Sequence, residues 1–183
     1  MPTQRKFCRF SARAEGNPAG ISQIPESGFC LNVFLIVSPS GDPTRVLMGR
    51  LDPSAAWDHL GGLDAGRATA HAGGWMLPAS QLIFGEAPDE AVRRLDHELL
   101  QDLAVEWSAP AVLSEVYRPR RHPESGEHWD LGFVYRGLSR DAAPASGEIW
   151  RELSYLDPAH PPASGFARAH EDVLEFAGFS PRR

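Results

Sequence analysis

The chain has 183 residues and a net charge of −6, with 42% hydrophobic and 23% charged residues. This length suits one domain, and this composition supports a buried core rather than wholesale disorder. The acidic balance argues against a broad surface for nucleic-acid polymers or anionic membranes, because such surfaces need clustered Lys and Arg. The net charge is compatible with a small phosphate-bearing ligand, since binding such a ligand needs only a local basic patch.

The beginning of the chain predicts neither a secretion signal nor a membrane anchor. Its first ten residues, MPTQRKFCRF, lack an apolar core, and no apolar run approaches the length of a membrane span. We therefore expect a cytoplasmic protein. The two cysteines, Cys8 and Cys30, are too few for a disulfide framework, and Cys30 lies in an apolar run that predicts a core position.

Residues 1–27 mix charge, Gly, Pro and Ser without clear periodicity. They predict an N-terminal arm with one short strand, packed on the domain or on a partner. Residues 28–183 predict a single domain.

The domain opens with two predicted strands. The run FCLNVFLIV, Phe29–Val37, is too apolar for a strand with one solvent face, so we expect it to be central and buried on both sides. A turn signal at residues 38–43 and a second strand at Thr44–Leu51 predict a hairpin. Residues 52–73, rich in Ala, Gly and Asp, predict an insertion or a flap over an active site.

A helix is predicted to begin near Ala87, with Pro88 in its first turn, where the missing N–H costs nothing. Its apolar residues recur at helical spacing and predict its buried face. They are Ala91, Val92, Leu95, Leu99 and Leu100.

Three strand-like runs follow the helix, VEWSAPAVLSEVYR, EHWDLGFVYRGL and GEIWRELSYL. The chain then ends in an amphipathic helix within SGFARAHEDVLEFAGF, with Ser164 as its candidate cap and Gly178 at its end. The order of strands, helix, strands and helix predicts an α+β fold or an α/β/α sandwich with a mixed sheet.

The loop and helix over Gly74–Leu103 resemble the signature of Nudix hydrolases, G-x5-E-x7-R-E-U-x-E-E-x-G-U, where U is bulky and apolar. The preamble W-x-L-P-G-G of that family appears as Trp75–Ser80, and its GE dipeptide appears as Gly85-Glu86. Arg94 follows Glu86 at the spacing of the signature, and Glu98 matches the first Glu of the E-E pair.

The resemblance covers about residues 28–178, because ELSYLDPA at 152–159 is similar to the region that precedes the last helix in many members. It implies a Nudix-like fold, in which a mixed sheet is flanked by the motif helix and a C-terminal helix. It also implies hydrolysis of a nucleoside diphosphate linked to another moiety, with Mg²⁺ or Mn²⁺ as the cofactor.

Several positions depart from the signature. Ser80 stands where the first Gly belongs, Leu95 and Leu99 replace two Glu residues, and Gln101 replaces the later Gly. Asp96 falls at an apolar position of the signature.

A second register, with one residue deleted, makes Arg93 the motif arginine and His97-Glu98 the acidic pair. Helical periodicity favours this register, because Ala91, Leu95 and Leu99 then share one buried stripe. Both registers leave the acidic set of the signature incomplete.

The resemblance implies Glu86, Arg94 and Glu98 as catalytic residues, with Glu86 and Glu98 as metal ligands. Mg²⁺ neutralises phosphate oxygens and activates water, and it takes hard oxygen ligands. Carboxylates three and four residues apart share a helix face, but Glu98 alone is left on that platform. Further ligands would have to come from later loop acids, for which the candidates are Glu115, Glu124, Glu127 and Asp130.

Ligand contacts are predicted beside the helix and in one later loop. Trp75 flanks the predicted pocket. The loop RPRRHPESGEHWD offers Arg118, Arg120 and Arg121 to phosphates and Trp129 to a base. As an exposed polar connection between strands, the same loop would contact no ligand.

Three hypotheses therefore stand. The chain is a Nudix-type hydrolase with an altered and impaired metal site, a Nudix-fold protein that binds a nucleotide-like ligand without cleaving it, or a domain kept for protein contacts with the arm helping a homodimer. Fold is shared by all three and does not decide among them.

Overall fold

The computed structural model describes residues 9–10, 29–52, 73–117, 128–143, 146, 148–167 and 170–180. Most of the predicted arm and of the 52–73 insertion lies outside these ranges, as do Arg118, Arg120 and Arg121. The elements within the described ranges are, in chain order, β1 (Arg9–Phe10), β2 (Phe29–Pro39), β3 (Val46–Leu51), β4 (Ala79–Gln81), α1 (Pro88–Leu100), β5 (Val105–Trp107), β6 (Ala111–Tyr117), β7 (His128–Ser139), β8 (Trp150–Leu156) and α2 (His170–Phe176).

A mixed six-stranded sheet forms the centre of the domain. Strands β2 and β7 run parallel, with Phe29 opposite Trp129 at one end and Pro39 opposite Ser139 at the other. Strands β1 and β4 pair antiparallel with β2, and β5 and β6 pair antiparallel with β7. Strands β3 and β8 form a separate antiparallel pair. The predicted α+β fold with a mixed sheet is confirmed.

Alternate residues of β2 face two different core clusters, as strand geometry requires. Val33, Leu35 and Val37 pack in a cluster with all five predicted apolar residues of α1. Ile36 packs in the other cluster with Val173 and Leu174 of α2. The two helices therefore cover opposite faces of the sheet, and the prediction that β2 is central and buried on both sides is confirmed.

The predicted hairpin between β2 and β3 is wrong. Such a hairpin would use the edge of β2 where residues 32–34 pair with β4 and where the N–H of Leu35 donates to the carbonyl of Pro78 at 2.9 Å. Strand β3 pairs instead with β8, from Val46 opposite Leu156 onwards. The turn at 38–43 reverses the chain, but a reversal does not determine which strand supplies the ladder partner.

Helix α1 begins and ends as its backbone chemistry dictates. Ala87 is its extended N-cap, Pro88 is its first residue, and the side chain of Glu90 accepts the N–H of Ala87 at 2.8 Å. The helix ends at Leu100, and its C-cap is Gln101, whose φ of 57° and ψ of 44° lie in the left-handed region. The predicted start near Ala87 is confirmed.

Helix α2 is shorter than the amphipathic pattern that predicted it. Ser164 is not its cap, because residues 165–167 bond to the strand-like Trp75, whose N–H donates to Gly165 at 2.9 Å and whose carbonyl accepts from Ala167 at 2.7 Å. The helix starts at buried His170, whose Nδ1 accepts the N–H of Leu77 at 3.1 Å. Gly178, with a φ of 86°, follows its end as predicted.

In the part of the chain that the structure describes, neither helix has the length and apolar character that a membrane span requires.

Candidate functional site

The turn before α1 is closed by both main-chain and side-chain bonds. The N–H of Glu86 donates to the carbonyl of Ile83 at 2.9 Å, and the carboxylate of Glu86 accepts the N–H of Ile83 at 2.9 Å. Between them, Gly85 adopts a φ of 87°, which L-residues rarely adopt. The GE dipeptide identified in the sequence therefore forms a fixed turn that delivers Glu86 to the start of the helix.

Arg94 joins this turn to the helix. Its Nε donates to Oε1 of Glu86 at 2.7 Å, and its Nη2 donates to Oε2 of the same carboxylate at 2.8 Å. Such bidentate, charge-assisted pairs are among the strong polar contacts in proteins. Nη2 also donates to the carbonyl of Gln81 at 3.1 Å, so that the guanidinium holds β4, the turn and α1 together.

The same guanidinium pairs with Glu98, one helical turn further on. Nη1 of Arg94 lies 3.6 Å from Oε2 of Glu98. The side chains of Glu86, Arg94 and Glu98 are only 11%, 12% and 13% exposed, so their attraction is less screened than at a surface. The three side chains, which we call the Arg94 cluster, carry two negative charges and one positive charge.

The spacing of eight residues that linked Glu86 to Arg94 in the sequence is thus a direct contact. Arg93, the motif arginine of the second register, is exposed. The left-handed residue at the end of α1 is Gln101, the position at which the first register has the glycine of the signature. The geometry at both ends of the helix agrees with the first register.

The two positions where the signature has further acids face the core. Leu95 is fully buried and Leu99 is 1% exposed, both in the cluster that packs α1 on the sheet. These side chains cannot bind a metal ion, and a carboxylate in their place would be desolvated. The buried stripe that favoured the second register is therefore real, although the arginine contact follows the first.

A second titratable group lies at the end of α1. Asp96 is half-buried, and burial together with the nearby charge of Asp102 raises its pKa to about 6, against a lowering by His97. Nδ1 of exposed His97 lies 3.0 Å from both carboxylate oxygens of Asp102, and this contact raises the pKa of His97. These three groups are exposed or half-buried near the last turn of the helix, and the charge of Glu98 also helps to raise the pKa of His97.

The Mg²⁺ or Mn²⁺ that the resemblance to Nudix hydrolases implies does not fit the donor atoms of the described residues. Both oxygens of Glu86 already accept hydrogen bonds from Arg94, and Glu98 is paired with the same cation. Within the described residues, no group of three or more His, Cys, Asp or Glu side chains could hold a metal ion. A divalent ion at Glu86 would therefore have to compete with the guanidinium.

The acidic residues that follow α1 in the chain do not add metal ligands to Glu86 and Glu98 within the described residues. Glu115 and Asp130 lie opposite each other in the β6–β7 ladder. Asp130 points to the same face of β7 as Val134, which packs in the cluster that contains Val173 and Leu174 of α2. This acid pair therefore lies on the face of the sheet away from α1. Asp130 also accepts a hydrogen bond of 2.8 Å from Asn32 on that face. Glu124 and Glu127 lie outside the described residues.

An aromatic pair lies at the start of β2 and β7. The ring of Trp129 is 6.0 Å from that of Phe29, with the planes tilted by 44°, and its indole N–H donates to Oγ of Ser114 at 3.0 Å. Both rings are half-buried. Trp129 points to the same face of β7 as Phe133 and Tyr135, which pack in the core cluster that contains the apolar residues of α1. The aromatic pair therefore lies on the face of the sheet that α1 covers.

Tyr135 connects that face to the first turn of α1. Its hydroxyl donates to the carboxylate of Asp89, and burial raises the pKa of Tyr135, so that the hydroxyl keeps its proton. The sequence pattern did not indicate this contact, or the pairing of Phe29 with Trp129, because both join segments that are distant along the chain. The parallel register of β2 and β7 creates the aromatic pair.

Trp75, predicted to flank the pocket, lies in the core. It is 4% exposed and packs in the α2-facing cluster with Phe166 and Leu77. Its main chain also forms a bridge to Phe166. Of the predicted ligand contacts that fall within the described residues, Trp129 is therefore the better placed.

No protein-family model matches the sequence, and no curated protein matches it. The structure is similar to that of the Nudix domain of Shewanella oneidensis NrtR complexed with ADP ribose, with a TM-score of 0.55 and 16% identity, over 82% of this chain and 87% of that one.

Two further solved structures are similar to this chain over most of its length. A Nudix hydrolase from Nitrosomonas europaea has a TM-score of 0.51 and 14% identity, over 83% of this chain and 91% of that one. A protein from Jonesia denitrificans described as a possible asymmetric diadenosine tetraphosphate hydrolase has a TM-score of 0.51 and 19% identity, over 84% and 98%. At these identities the likeness shows the fold, and the chain has a Nudix-like α+β fold.

Proposed function

We propose that this chain binds a nucleoside diphosphate linked to another moiety, at the α1-facing side of the sheet, without cleaving it. The observation that carries the proposal is the Arg94 cluster. A nearly buried guanidinium pairs with both Glu86 and Glu98, the two carboxylates that the Nudix signature assigns to catalysis. Leu95 and Leu99 complete that stretch of helix with apolar, core-facing side chains.

The ligand class is supported by the structural neighbours. One of them was solved with ADP ribose, and another is described as a possible diadenosine tetraphosphate hydrolase. These two compounds share an adenosine joined through a phosphoanhydride to a second group. We take that shared chemistry, rather than either compound, as the ligand class of this chain.

We assign roles to residues from their chemistry. Trp129, backed by Phe29, would stack on the base, a contact that contributes about 1–3 kcal/mol in other proteins. Arg118, Arg120 and Arg121 would bind the phosphates, because a guanidinium matches phosphate oxygens in two-point contacts. Arg94 neutralises one of the two carboxylate charges beside the turn and so reduces the repulsion of an approaching phosphate.

Calorimetry with ADP-ribose and diadenosine tetraphosphate tests the proposal, first in EDTA and then in Mg²⁺. We expect saturable binding of at least one compound in EDTA. Trp129→Ala should weaken that binding by about fivefold to a hundredfold, and Trp129→Phe should largely retain it. Phe176→Ala, at an exposed aromatic of α2, is the control and should change nothing. No binding of either compound in either buffer would contradict the proposal.

Metal-dependent hydrolysis of the same ligand class is the second candidate. It is favoured by the fact that Glu86 and Glu98 approach a single cation, Arg94, from two sides. Further ligands would have to come from Glu124 and Glu127. Under this candidate, turnover appears on addition of Mg²⁺ or Mn²⁺, and Glu98→Gln abolishes it while leaving the melting temperature nearly unchanged. Unaltered turnover in Glu98→Gln would remove this residue from the mechanism.

A cytoplasmic location and a homodimer in which the 1–27 arm takes part remain proposals. Light scattering after size-exclusion chromatography measures the oligomeric state directly. A monomer across the micromolar range would contradict the homodimer without bearing on ligand binding.

A further inference from the structure

We infer that the guanidinium of Arg94 takes the place of a divalent metal ion between Glu86 and Glu98, so that ligand recognition at this site needs no metal. This inference deepens the proposed function and concerns the same site. It makes a statement about metal affinity that can be tested in the absence of any nucleotide.

The first argument is that both oxygens of the Glu86 carboxylate already accept hydrogen bonds. Arg94 donates to Oε1 at 2.7 Å and to Oε2 at 2.8 Å, while the N–H of Ile83 donates to Oε2 at 2.9 Å. A metal ion would have to displace a two-point, charge-assisted contact. The guanidinium keeps its charge at every physiological pH, so deprotonation cannot vacate the position.

The second argument concerns Glu98 and its neighbours on the helix. Oε2 of Glu98 lies 3.6 Å from Nη1 of Arg94, and both side chains are nearly buried. The positions that would add carboxylates on either side, Leu95 and Leu99, belong to the core. Mg²⁺ gives up its water reluctantly and requires several oxygen ligands in near-octahedral geometry. Two carboxylates whose combined charge is half neutralised by Arg94 provide too few ligands and too little negative charge to bind such an ion tightly.

The third argument is that one nitrogen of the Arg94 guanidinium has a hydrogen-bond donor that is not used within the described residues. Its Nη1 is buried and makes no hydrogen bond to any of the described residues. An N–H group in that situation is costly unless it finds an acceptor. A phosphate oxygen that displaces the Glu98 carboxylate from its place 3.6 Å from Nη1 would supply one. That is the contact that a metal ion would otherwise make with the phosphate.

A purely structural role of Arg94, as a tie between the turn and the helix, makes a different prediction. Removing the side chain would then lower stability and leave metal affinity as weak as before. Under our inference, its removal exposes two adjacent carboxylates to solvent cations, so metal affinity rises.

The experiment is a titration of the protein with Mn²⁺ alone, in which binding is measured by electron paramagnetic resonance and by calorimetry. We expect wild-type protein to show only weak, non-saturating binding in the low-millimolar range. Arg94→Met should bind Mn²⁺ about tenfold or more tightly than wild type. The gain should disappear in the double variant Glu86→Gln/Arg94→Met. Arg93→Met, at the exposed neighbouring arginine, removes the same charge from the same helix and should behave as wild type.

Two results would overturn the inference. One is micromolar Mn²⁺ binding by wild-type protein that is lost in Glu86→Gln or Glu98→Gln. The other is a folded Arg94→Met that binds Mn²⁺ no more tightly than Arg93→Met. Arg94→Gln, which keeps an N–H donor for Glu86 without the charge, replaces Arg94→Met should the latter fail to fold, and the wild-type titration stands independently of both.

The outcomes for the two proposals are separable. Absence of binding of both ADP-ribose and diadenosine tetraphosphate, in EDTA and in Mg²⁺, contradicts the proposed function and leaves the Mn²⁺ titrations as they are. Binding that appears only in Mg²⁺ agrees with the proposed function and contradicts the inference that recognition needs no metal. Tight Mn²⁺ binding by wild-type protein contradicts the inference about Arg94, while nucleotide binding could still be found.

Discussion

The indole N–H of Trp150 donates a 2.7 Å hydrogen bond to the main-chain carbonyl of Leu99. The carbonyls in the last turn of a helix have no partner within the helix, so the indole satisfies one of them. Trp150 begins β8 and is 2% exposed. The helix that carries the Arg94 cluster is therefore fixed at its far end by the small β3–β8 sheet.

Trp150→Phe should destabilise the protein by about 1–3 kcal/mol, because it leaves the carbonyl of Leu99 buried without a donor while keeping most of the apolar ring. Urea unfolding measures the change. Trp107→Phe is the matched control, since half-buried Trp107 packs on the same core and none of the hydrogen bonds described involves its indole. Equal losses for the two variants would show that ring volume, and not the hydrogen bond, accounts for the effect.

Gly49→Ala should also destabilise the protein, by about 1–3 kcal/mol, because there is no room for a side chain. A Cβ at Gly49 would lie 2.3 Å from Cε3 of Trp150. The double variant Gly49→Ala/Trp150→Phe should lose less than the sum of the single variants, since phenylalanine lacks the fused ring that the methyl group meets. Strict additivity in urea unfolding would argue against this contact.

Local patterns in the sequence predicted the helix faces better than the sheet partners. The buried face of α1 was predicted residue by residue, because every member of an apolar stripe lies on one helix and its spacing is local. The central position of β2 followed from its composition. Its partner β7 could not be inferred in this way, since parallel pairing joins segments that are far apart in the chain.

At the candidate site, the sequence indicated which side chains meet but not the geometry of their contact. The spacing of Glu86 and Arg94 indicated a shared role, and the two residues are in contact. No sequence pattern indicated that the guanidinium would bind both oxygens of Glu86, because this depends on how the turn orients the carboxylate. Trp75 was expected near a pocket, but a bridge to Phe166, far along the chain, places it in the core.

Leu99→Glu, which restores an acid of the signature, should cost about 3 kcal/mol or more, because it buries a carboxylate in an apolar cluster. Leu99 is 1% exposed and packs with Leu95 against the sheet. The free energy of unfolding at neutral pH gives the answer. Arg93→Glu introduces the same side chain at an exposed position and should change stability by no more than about 0.5 kcal/mol. A well-tolerated Leu99→Glu would mean that this face of α1 is open to solvent.

Gln101→Gly should stabilise the protein by about 0.5–1 kcal/mol, since the left-handed conformation at the end of α1 carries no steric cost for glycine. Gln101 has a φ of 57°, and the next residue, Asp102, has the same value. Gln101→Ala keeps the unfavourable backbone and should bring no such gain, which separates backbone strain from loss of the glutamine side chain. Thermal unfolding of the two variants, compared with wild type, measures the difference.

Asp96→Asn should stabilise the protein at neutral pH but not in acid. Burial, with help from Asp102, raises the pKa of Asp96 from 3.8 to about 6, so the folded state holds a proton that the unfolded state releases at lower pH. Stability from this group is therefore fully present below about pH 4, falls as the pH rises to about 6 and stays reduced above it. Oδ1 of Asp96 is buried and has no hydrogen-bond partner among the described residues, which agrees with a disfavoured charge.

The measurement for Asp96 is the difference in melting temperature between Asp96→Asn and wild type, taken from pH 4 to pH 8. Asparagine carries no charge, so the difference should grow between about pH 4 and pH 6 and then level off, while the titration of other groups largely cancels. Asp102→Asn removes a charge that raises the pKa of Asp96 in the folded state, and in that background the rise should end at lower pH and be smaller. A difference that is constant across the whole range would show that Asp96 is as well solvated in the folded state as in the unfolded chain.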